Sequence, residues 1–516
     1  MKPVSRREFL LTGAAAFAFS AVIFRSAQGW LADGQQYLGM GLAEPLNGKI
    51  TPPPNDEIDP IAHTLNRLTF GPTPGEYSRV AKMGVAAYID EQLAPESIEN
   101  GRCNRALARF CDLWGEPLGE HYEEDDDALS PILRRVTTLR AIYSKQQLFE
   151  VMCEFWSDHF NIDPGKGDCR WSKPSDDHNV VRKHALGNFR DMLRASALSP
   201  AMLWYLDGHA NEKRKPEDKA NENYARELME LHTLGIHGGY SQQDVMEVAR
   251  CLTGWTLRSK KKTGAIKSEL FNLKKALSQP ANWKPLNDRG EVYFQPQAHD
   301  GGAKTVLGQA IPAGLGEGDI ERVIDIVATH PSTARFLATK LCKRFIADEP
   351  AESAVAAVAK KFTESKGDIK ATLRTLFATP EFLSSAGGKM KRPFHYIVSA
   401  LRVTNAQTDG DKPVLQFLEK MGQAPFRYPT PDGYPLEATA WHATLLWRWK
   451  FALALSNNQI GGTSIERAKL QRQLGGDTAL MATVLNRRAS AEEGDAFLKS
   501  GDGLALLLAS PGFQRC

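Results

Sequence analysis

The sequence lacks the short motifs of the commonest enzyme classes. Its 516 residues contain no GxSxG, P-loop, HExxH or GxGxxG pattern, which argues against the usual designs of hydrolases and nucleotide-binding enzymes. The seven cysteines form no CxxC pair and no zinc-type spacing. We therefore assign no disulfide and no structural zinc site, and expect Cys516, at the terminus, to be a free thiol.

The chain also lacks a charge excess outside its N-terminus. Residues 1–27 hold four of the 64 basic residues and one of the 61 acidic ones, so 60 of each remain beyond them. A clustered basic face is the usual mark of nucleic-acid binding. The balance therefore predicts no nucleic-acid partner.

Only one long apolar run is present, and it stands at the start. "SRREFLLTGAAAFAFSAVIF" places Arg6 and Arg7 before an apolar stretch that ends near Phe24, which is the layout of a twin-arginine export signal. No second run of roughly 18 apolar residues follows. We predict a signal over residues 1–33, export to the periplasm or beyond, and no membrane contact after cleavage.

Helical periodicity covers most of the remaining chain. A proline-rich lead-in over residues 34–55 precedes stretches such as "GEYSRVAKMGVAAYIDEQL", in which apolar residues recur every three or four positions. Short runs of β character occur only over residues 290–311, around Gly301 and Gly302. The pattern predicts a mostly α fold: one large multi-helix domain over residues 56–516, with a small insertion resembling a β-hairpin.

The stretch "NENYARELMELHTLGIHGGYSQQD" crowds ionisable side chains onto one helix. At about 100° per residue, Glu227, Glu230 and Arg226 share a polar stripe, while His232 lies on another side. Glycines then stop the helix, and Ser241 is a good cap for the next one. The two carboxylates are suited to share a metal ion or a proton. The alternative is an arginine–glutamate network that ties two helices together.

A second helix, "LFEVMCEFWSDHFN", carries the next candidate. Its periodicity predicts that Glu150, Glu154 and Asp158 form a solvent-exposed face and that His159 points inward. An inward histidine beside carboxylates of a neighbouring helix is how helical bundles build metal sites. A core histidine that is hydrogen-bonded to a carbonyl gives the same pattern, so both interpretations stay open.

The third candidate is the turn "AHDGGAKTVLG". His299 and Asp300 precede two glycines, and Lys304 follows them, so that backbone amides and side chains can converge there on an anion or a metal. A surface turn with an aspartate chosen for its turn geometry is the alternative.

Four motifs, in this order behind the leader, carry a family resemblance: "FWSDHF", "NENYARELMELHTLGIHGGYSQQDVMEVARCLTGW", "HDGGAKTVLG" and "HPSTARFLATKLCKRFIADEP". The chain resembles the bacterial family called domain of unknown function 1800 (DUF1800), from "AHTLNRLTFG" to "PTPDGYP" and beyond. The resemblance implies an exported, mostly helical protein with no agreed reaction, often encoded beside a sulfatase-like exported partner. Relatives tend to carry a proline-asparagine-glycine-tryptophan motif where this chain has "PTPDGYP".

Two functions of different classes follow. The first is a periplasmic enzyme that uses a divalent metal ion and acts on a polymer or glycan. The second is a non-catalytic binding or assembly partner of a neighbouring exported enzyme. For the enzyme, the predicted metal ligands are His159, Glu227, Glu230 and His232, and the predicted catalytic residues are His299, Asp300 and Arg226. The hypothesis requires that these groups converge around one cavity.

Overall fold

A computed structural model of the chain describes residues 50–110, 118–258 and 288–516. The predicted signal, and residues 34–49 of the predicted lead-in, lie outside the described residues. Within them helices dominate, and the strands form only two-stranded ribbons. The prediction of a mostly α single domain with a small β insertion is confirmed.

The region before residue 258 forms twelve α-helices and one π-helical segment, Asp177–Arg182, in its described part. The helices are α1 (Pro60–Leu68), α2 (Glu76–Met83), α3 (Val85–Leu93), α4 (Gly101–Leu107), α5 (Leu118–His121), α6 (Leu129–Tyr143), α7 (Gln147–His159), α8 (Cys169–Asp176), α9 (Phe189–Ala197), α10 (Pro200–Tyr205), α11 (Asn223–Glu230) and α12 (Gln242–Cys251).

Thirteen more α-helices follow in residues 288–516. They are α13 (Gly318–Ala328), α14 (Pro331–Phe345), α15 (Glu352–Glu364), α16 (Ile369–Phe377), α17 (Pro380–Leu383), α18 (Pro393–Val403), α19 (Lys412–Lys420), α20 (Leu445–Ser456), α21 (Arg467–Leu474), α22 (Asp477–Leu485), α23 (Ala491–Lys499), α24 (Gly503–Ala509) and α25 (Pro511–Gln514).

Three antiparallel ribbons complete the described fold. The β character predicted over residues 290–311 corresponds to three strands, one of which pairs backwards with the segment after α12 rather than across Gly301 and Gly302. The pairs are β1 (Trp255–Leu257) with β2 (Val292–Phe294), β3 (Lys304–Val306) with β4 (Gln309–Ile311), and β5 (Gln407–Thr408) with β6 (Thr463–Ser464).

Local sequence explains where the site-bearing helices begin. Ser241 caps α12, as the sequence predicts, and it forms a reciprocal capping box with Asp244. Helix α14 begins with Pro331 directly after His330, whose ring accepts a hydrogen bond from the Ser332 amide. These caps fix the ends of two helices that border the candidate site.

The apolar core runs through the whole described chain, from Ile50 to Phe513. Trp156 on α7 lies at its centre, fully buried against Phe160 and Phe189. Its indole nitrogen donates to the Ala185 carbonyl at 3.0 Å. Helix α7 is therefore a central element, and residues at its C-terminal end are rigidly placed.

Six cysteines fall in the described residues, all free and buried, including Cys516. A buried thiol behaves as a small apolar group, and burial raises the pKa of Cys153 and Cys251. In the described part of the chain, no helix is both long and apolar enough to cross a membrane.

Candidate functional site

The two carboxylates of α11 and the histidine after it point to different environments. Glu227 and Glu230 are partly exposed, whereas His232 is completely buried. The pKa of Glu227 is raised by burial and by the neighbouring carboxylates of Glu230 and Asp432. Burial, with a contribution from Lys340, lowers the pKa of His232 to about 3, so its imidazole is neutral.

His159 points into the core, as the sequence predicts, and its two ring nitrogens have different partners. Nδ1 lies 3.0 Å from Nζ of Lys340, and Nε2 lies 3.1 Å from the carbonyl oxygen of His232. Because the ammonium group can only donate, Nδ1 accepts and Nε2 carries the proton that is donated to the carbonyl. Burial and the charge of Lys340 hold the pKa of His159 well below its usual value. The ring is a neutral bridge between the segment that follows α11 and helix α14.

Lys340 is the residue that sequence reasoning missed. Its ammonium group lies over the ring of Phe336, 5.5 Å from the centroid, on the inner side of α14. Burial lowers the pKa of Lys340 to about 8, and the nearby carboxylates of Asp158 and Asp432 oppose that shift. The available signal was its position four residues after an inward phenylalanine, where a helix places two side chains on one face.

The carboxylate face of α7 is not solvent-exposed, contrary to the prediction from helical periodicity. Glu150, Glu154 and Asp158 were expected to be solvent-exposed, but Glu150 is only 5% exposed and the other two are largely buried. Arg182 binds both carboxylate oxygens of Glu150, at 3.0 and 2.7 Å. Arg392 contacts Glu154 at 2.7 Å and Asp158 at 2.8 Å. Arginines that are distant in sequence thus make burial of this polar face tolerable, and helical periodicity cannot reveal them.

A cavity of about 40 Å³, room for a water molecule or two, lies along this face of α7. Its lining includes the three α7 carboxylates together with the rings of Phe394 and Tyr434. Asp158 lines the cavity and is also the carboxylate nearest the C-terminus of α7. Burial raises the pKa of Asp158 to about 6 against the opposing effect of Arg392, and Glu154 adds to the rise.

The segment that contains "PTPDGYP" is fastened to the C-terminal end of α7. The side-chain amide of Asn161 donates to the carbonyls of Tyr428 and Thr430, at 2.9 and 2.7 Å. The hydroxyl of Tyr205 donates to the Pro429 carbonyl at 2.8 Å. Three hydrogen bonds thus hold a surface loop, which would otherwise be mobile.

Gly433 allows this loop to lie very close to the C-terminal end of α7. Its φ is +74°, and a Cβ added there would lie 2.0 Å from the carbonyl oxygen of Asp158. Only glycine fits this conformation and this contact. The fit brings the exposed carboxylate of Asp432 within electrostatic range of both Lys340 and Glu227.

We name Asp158, His159, Lys340 and Asp432, with Glu227 beside them, the Asp158 cluster. Its members come from four segments that are far apart in sequence: α7, α11, α14 and the loop before α20. The cluster holds a carboxyl group whose pKa is raised and an amine whose pKa is lowered, each toward neutrality. Paired shifts of this kind are typical of acid–base sites.

His299 and Asp300 belong to a second network. Asp300 accepts two hydrogen bonds from Arg250, at 2.9 and 3.1 Å, which lower its pKa to about 2. His299 contacts Asp319 through Nε2 at 3.1 Å and the Thr253 carbonyl through Nδ1 at 2.9 Å. These partners lie on α12, just after it and at the start of α13, and none of them is a hydrogen-bond partner of His159.

Thr253, His299 and Asp319 have the connectivity of a nucleophile, base and acid. The Thr253 hydroxyl lies 3.1 Å from His299 Nδ1, but it also donates to the Arg250 carbonyl, and Thr253 is completely buried. Lys304 contacts Asp319 at 2.6 Å. A hydroxyl that no substrate can reach is not a nucleophile, so the arrangement holds the glycine turn in place.

Arg226, predicted to be catalytic, joins two helices. It contacts Glu222 at 3.1 Å and Gln242 at 3.0 Å, which links α11 to the first turn of α12. The alternative of a network that ties these helices together fits this arginine. Within the residues that the structure describes, Arg226 does not hydrogen-bond to Glu227, because its guanidinium group is engaged by Glu222 and Gln242.

No group of three or more histidine, cysteine or carboxylate side chains is arranged to hold a metal ion in the part of the chain that the structure describes. Of the four predicted ligands, Glu227 and Glu230 are near each other, and His159 is engaged by Lys340 and a carbonyl. The metal site stays a prediction.

Comparison with known proteins supports the family alone. No curated protein and no solved structure matches the chain. One family model, described as a protein of unknown function (DUF1800), matches residues 63–515, which include every segment of the Asp158 cluster. The chain belongs to the DUF1800 family.

Proposed function

We propose that the protein is an exported enzyme that performs acid–base chemistry on a polymer or glycan, with Asp158 as the general base and Lys340 as the general acid. One observation carries the proposal. Segments far apart in sequence bring together a carboxyl group and an amine whose pKa values are shifted in opposite directions. Structural ion pairs ordinarily shift the two pKa values apart from each other, toward more stable charges.

The direction of the shifts defines the working pH. With the pKa of Asp158 near 6 and that of Lys340 near 8, the carboxylate and the ammonium coexist mainly between these values. A base that must be ionised and an acid that must be protonated then give a bell-shaped rate profile with a maximum near pH 7.

The surroundings of the cluster support a hydroxyl-rich substrate. Asp432 is exposed and Glu227 is partly exposed. Carboxylates that reach solvent accept hydrogen bonds from hydroxyl groups. A polymer would approach along the loop that carries Asp432.

A divalent metal ion at Glu227 and Glu230 is a separable part of the proposal. Repulsion between these carboxylates raises the pKa of Glu227, and a bound cation would relieve it. Both ring nitrogens of His159 have partners and His232 is completely buried, so the partly exposed carboxylates would supply the protein ligands.

Export and a partner complete the proposal. The pair Arg6 and Arg7 before an apolar run supports twin-arginine export. Family resemblance supports a sulfatase-like exported protein as a partner, and an assembly role without catalysis is the competing function.

The test is a reducing-end assay of the purified protein on peptidoglycan fragments, alginate and carboxymethyl cellulose across pH 5 to 9. We expect product from at least one polymer. Asp158→Asn and Lys340→Met should each lower the rate at least a hundredfold, as loss of a general acid or base does. Asp191→Asn, at an exposed carboxylate on α9, is the matched control and should leave the rate unchanged.

Metal analysis accompanies this assay, with and without a chelator. A stoichiometric metal that is lost in Glu227→Gln would support the cation. If no polymer is cleaved, or if Asp158→Asn cleaves as fast as the wild type, the enzymatic proposal fails and the assembly role is favoured.

A further inference from the structure

Helix α20 is apolar on both sides, which is unusual for a helix at the surface of a domain. Its sequence, "LLWRWKFALALS", places Phe451, Ala452 and Leu455 against the core. The charged group of Arg448 is also buried, where it donates to the Lys391 carbonyl at 2.8 Å. A surface helix normally turns a polar face to water, whereas one that is apolar all round has an apolar environment on every side.

The outer side of α20 carries a dense apolar patch. In the described chain nine large apolar side chains are exposed, and four of them are on this helix: Leu445 at 45%, Leu446 at 61%, Trp449 at 42% and Leu453 at 45%. At about 100° per residue they fall within one stripe about 100° wide. We call these four residues the α20 stripe. A contiguous patch of this kind marks an interaction surface more strongly than scattered exposed residues do.

Positive charge borders the stripe. Lys450 on α20 and Lys420 on α19 both lie over the ring of Trp447, at 4.4 and 5.8 Å from its centroid. Helix α20 itself contains no acidic residue. The apolar stripe is therefore flanked by cations whose carbon stems pack on an aromatic ring, as lysines do when their charged ends reach past an apolar surface.

A cavity of about 290 Å³ opens at the first turn of the helix. Its lining includes Leu445 of the stripe together with the exposed side chains of His442 and Arg515. The cavity thus combines apolar walls with the exposed guanidinium group of Arg515, directly beside the stripe. That combination suits a small anionic group attached to a hydrocarbon chain.

We propose that the α20 stripe docks on the surface of a bilayer that contains anionic phospholipid. Leucine and tryptophan side chains enter the boundary between acyl chains and headgroups, Lys450 and Lys420 contact phosphates, and Arg515 binds a headgroup. The helix has 12 residues, too few to span a bilayer, so it lies in the plane of the interface. A bilayer fits better than a protein groove because cations border the stripe and α20 has no acidic residue. This peripheral contact differs from the expectation of no membrane contact and does not depend on the proposed catalysis.

The test is co-sedimentation of the full chain with vesicles of phosphatidylglycerol and phosphatidylcholine, compared with phosphatidylcholine alone. We expect binding to the anionic vesicles that weakens as salt rises. The double variant Leu446→Asp with Trp449→Asp should lower the affinity at least tenfold. The control Leu498→Asp changes a leucine that is 69% exposed on α23 and should bind as the wild type does. Since every variant keeps the same N-terminal apolar run, that run contributes equally to all of them.

Two further measurements test the role of Lys450 and the oligomeric state of the protein. Lys450→Glu should weaken binding without changing the fold, which the thermal midpoint and circular dichroism check. Equal binding of wild type and double variant, or equal binding to anionic and neutral vesicles, would overturn the proposal. So would a wild-type dimer in analytical ultracentrifugation that the double variant abolishes, because the stripe would then be an interface between two copies of the chain.

Discussion

Replacing Lys340 by methionine should make the protein more stable, which is the opposite of what removal of a buried contact usually does. Burial lowers the pKa of Lys340 from 10.5 to about 8, even though Asp158 and Asp432 pull it upward. A shift of this size corresponds to roughly 3 kcal/mol of unfavourable charge burial. Losing the hydrogen bond to His159 costs about 1 kcal/mol. The expected net gain is therefore roughly 2 kcal/mol at pH 7.

The pH dependence follows from the same shift. Below pH 8 the lysine is protonated in both the folded and the unfolded chain, so the whole penalty is present. Between pH 8 and 10.5 the unfolded chain binds the additional proton, and the free energy of unfolding rises by about 1.4 kcal/mol per pH unit. Burial lowers the pKa of Lys391 to about 8 as well, so the wild type alone does not isolate Lys340. The difference between wild type and Lys340→Met does.

The assay is urea unfolding of both proteins at several pH values from 6 to 10. The matched control is Lys343→Met on the same helix, where the lysine is a third exposed and pairs with Glu437 at 2.7 Å. Such a pair contributes about 0 to 1 kcal/mol, so its loss should be slightly destabilising and nearly independent of pH in this range. If Lys340→Met is destabilised by more than about 1 kcal/mol, or if its difference from wild type does not shrink between pH 8 and 10, the lysine is an ordinary structural residue.

Three other predictions concern the same loop, the same carboxylate and export. The wild type should lose about 3 kcal/mol of stability as pH rises from about 4 to about 6, because the folded carboxyl group of Asp158 keeps its proton to a higher pH than the unfolded one. Asp158→Asn should remove this loss. Urea unfolding at pH 4 and pH 7 measures the loss, and an unchanged pH dependence in the variant would refute the prediction. Gly433→Ala should destabilise the protein by roughly 2 to 4 kcal/mol, because the added Cβ meets the Asp158 carbonyl. The control Gly422→Ala, at φ +76° with open space around it, should lose only about 1 kcal/mol. Equal losses in thermal melts would contradict the close approach of Gly433 to Asp158. Arg6→Lys combined with Arg7→Lys should leave the precursor in the cytoplasm, and cell fractionation that still finds the variant outside would reject the export signal.

The helical class of the fold could be read from the sequence because it depends on local patterns. Apolar spacing, the cap at Ser241 and the proline at position 331 each report on a few neighbouring residues. The inward orientation of His159 followed from the same periodicity, since its neighbours Phe155 and Trp156 are large and apolar. The ribbon pairing did not follow, because β1 and β2 are separated by more than thirty residues.

The electrostatic partners could not be read in this way. Helical periodicity predicts that the α7 face with Glu150 and Asp158 is exposed to solvent. Arg182 and Arg392, which are distant in sequence, reach this face only in the folded chain. Asp300 was a plausible catalytic group until Arg250, fifty residues earlier, proved to bind both of its oxygens. Long-range ion pairs decide which ionisable residues are neutralised and which are not, and a single sequence does not encode them locally.

The surroundings of Lys340 also depend on segments that are distant in sequence. It stands in "ATKLCKRF" among other basic residues, and only its spacing of four residues from Phe336 distinguishes it from Lys343. The fold places Lys340 beside His159 and pairs Lys343 with Glu437. The candidate site therefore depends on contacts between segments that are far apart in sequence.

The most direct test of the Asp158 cluster is the pKa of Lys340 itself. It can be measured from the pH dependence of its acetylation by acetic anhydride, with the modified peptide quantified by mass spectrometry. The account predicts a midpoint near pH 8, and a lower one in Asp158→Asn, because the carboxylate raises the pKa of the lysine. A midpoint near 10.5 that does not respond to Asp158→Asn would show that the amine and the carboxyl group do not form one site.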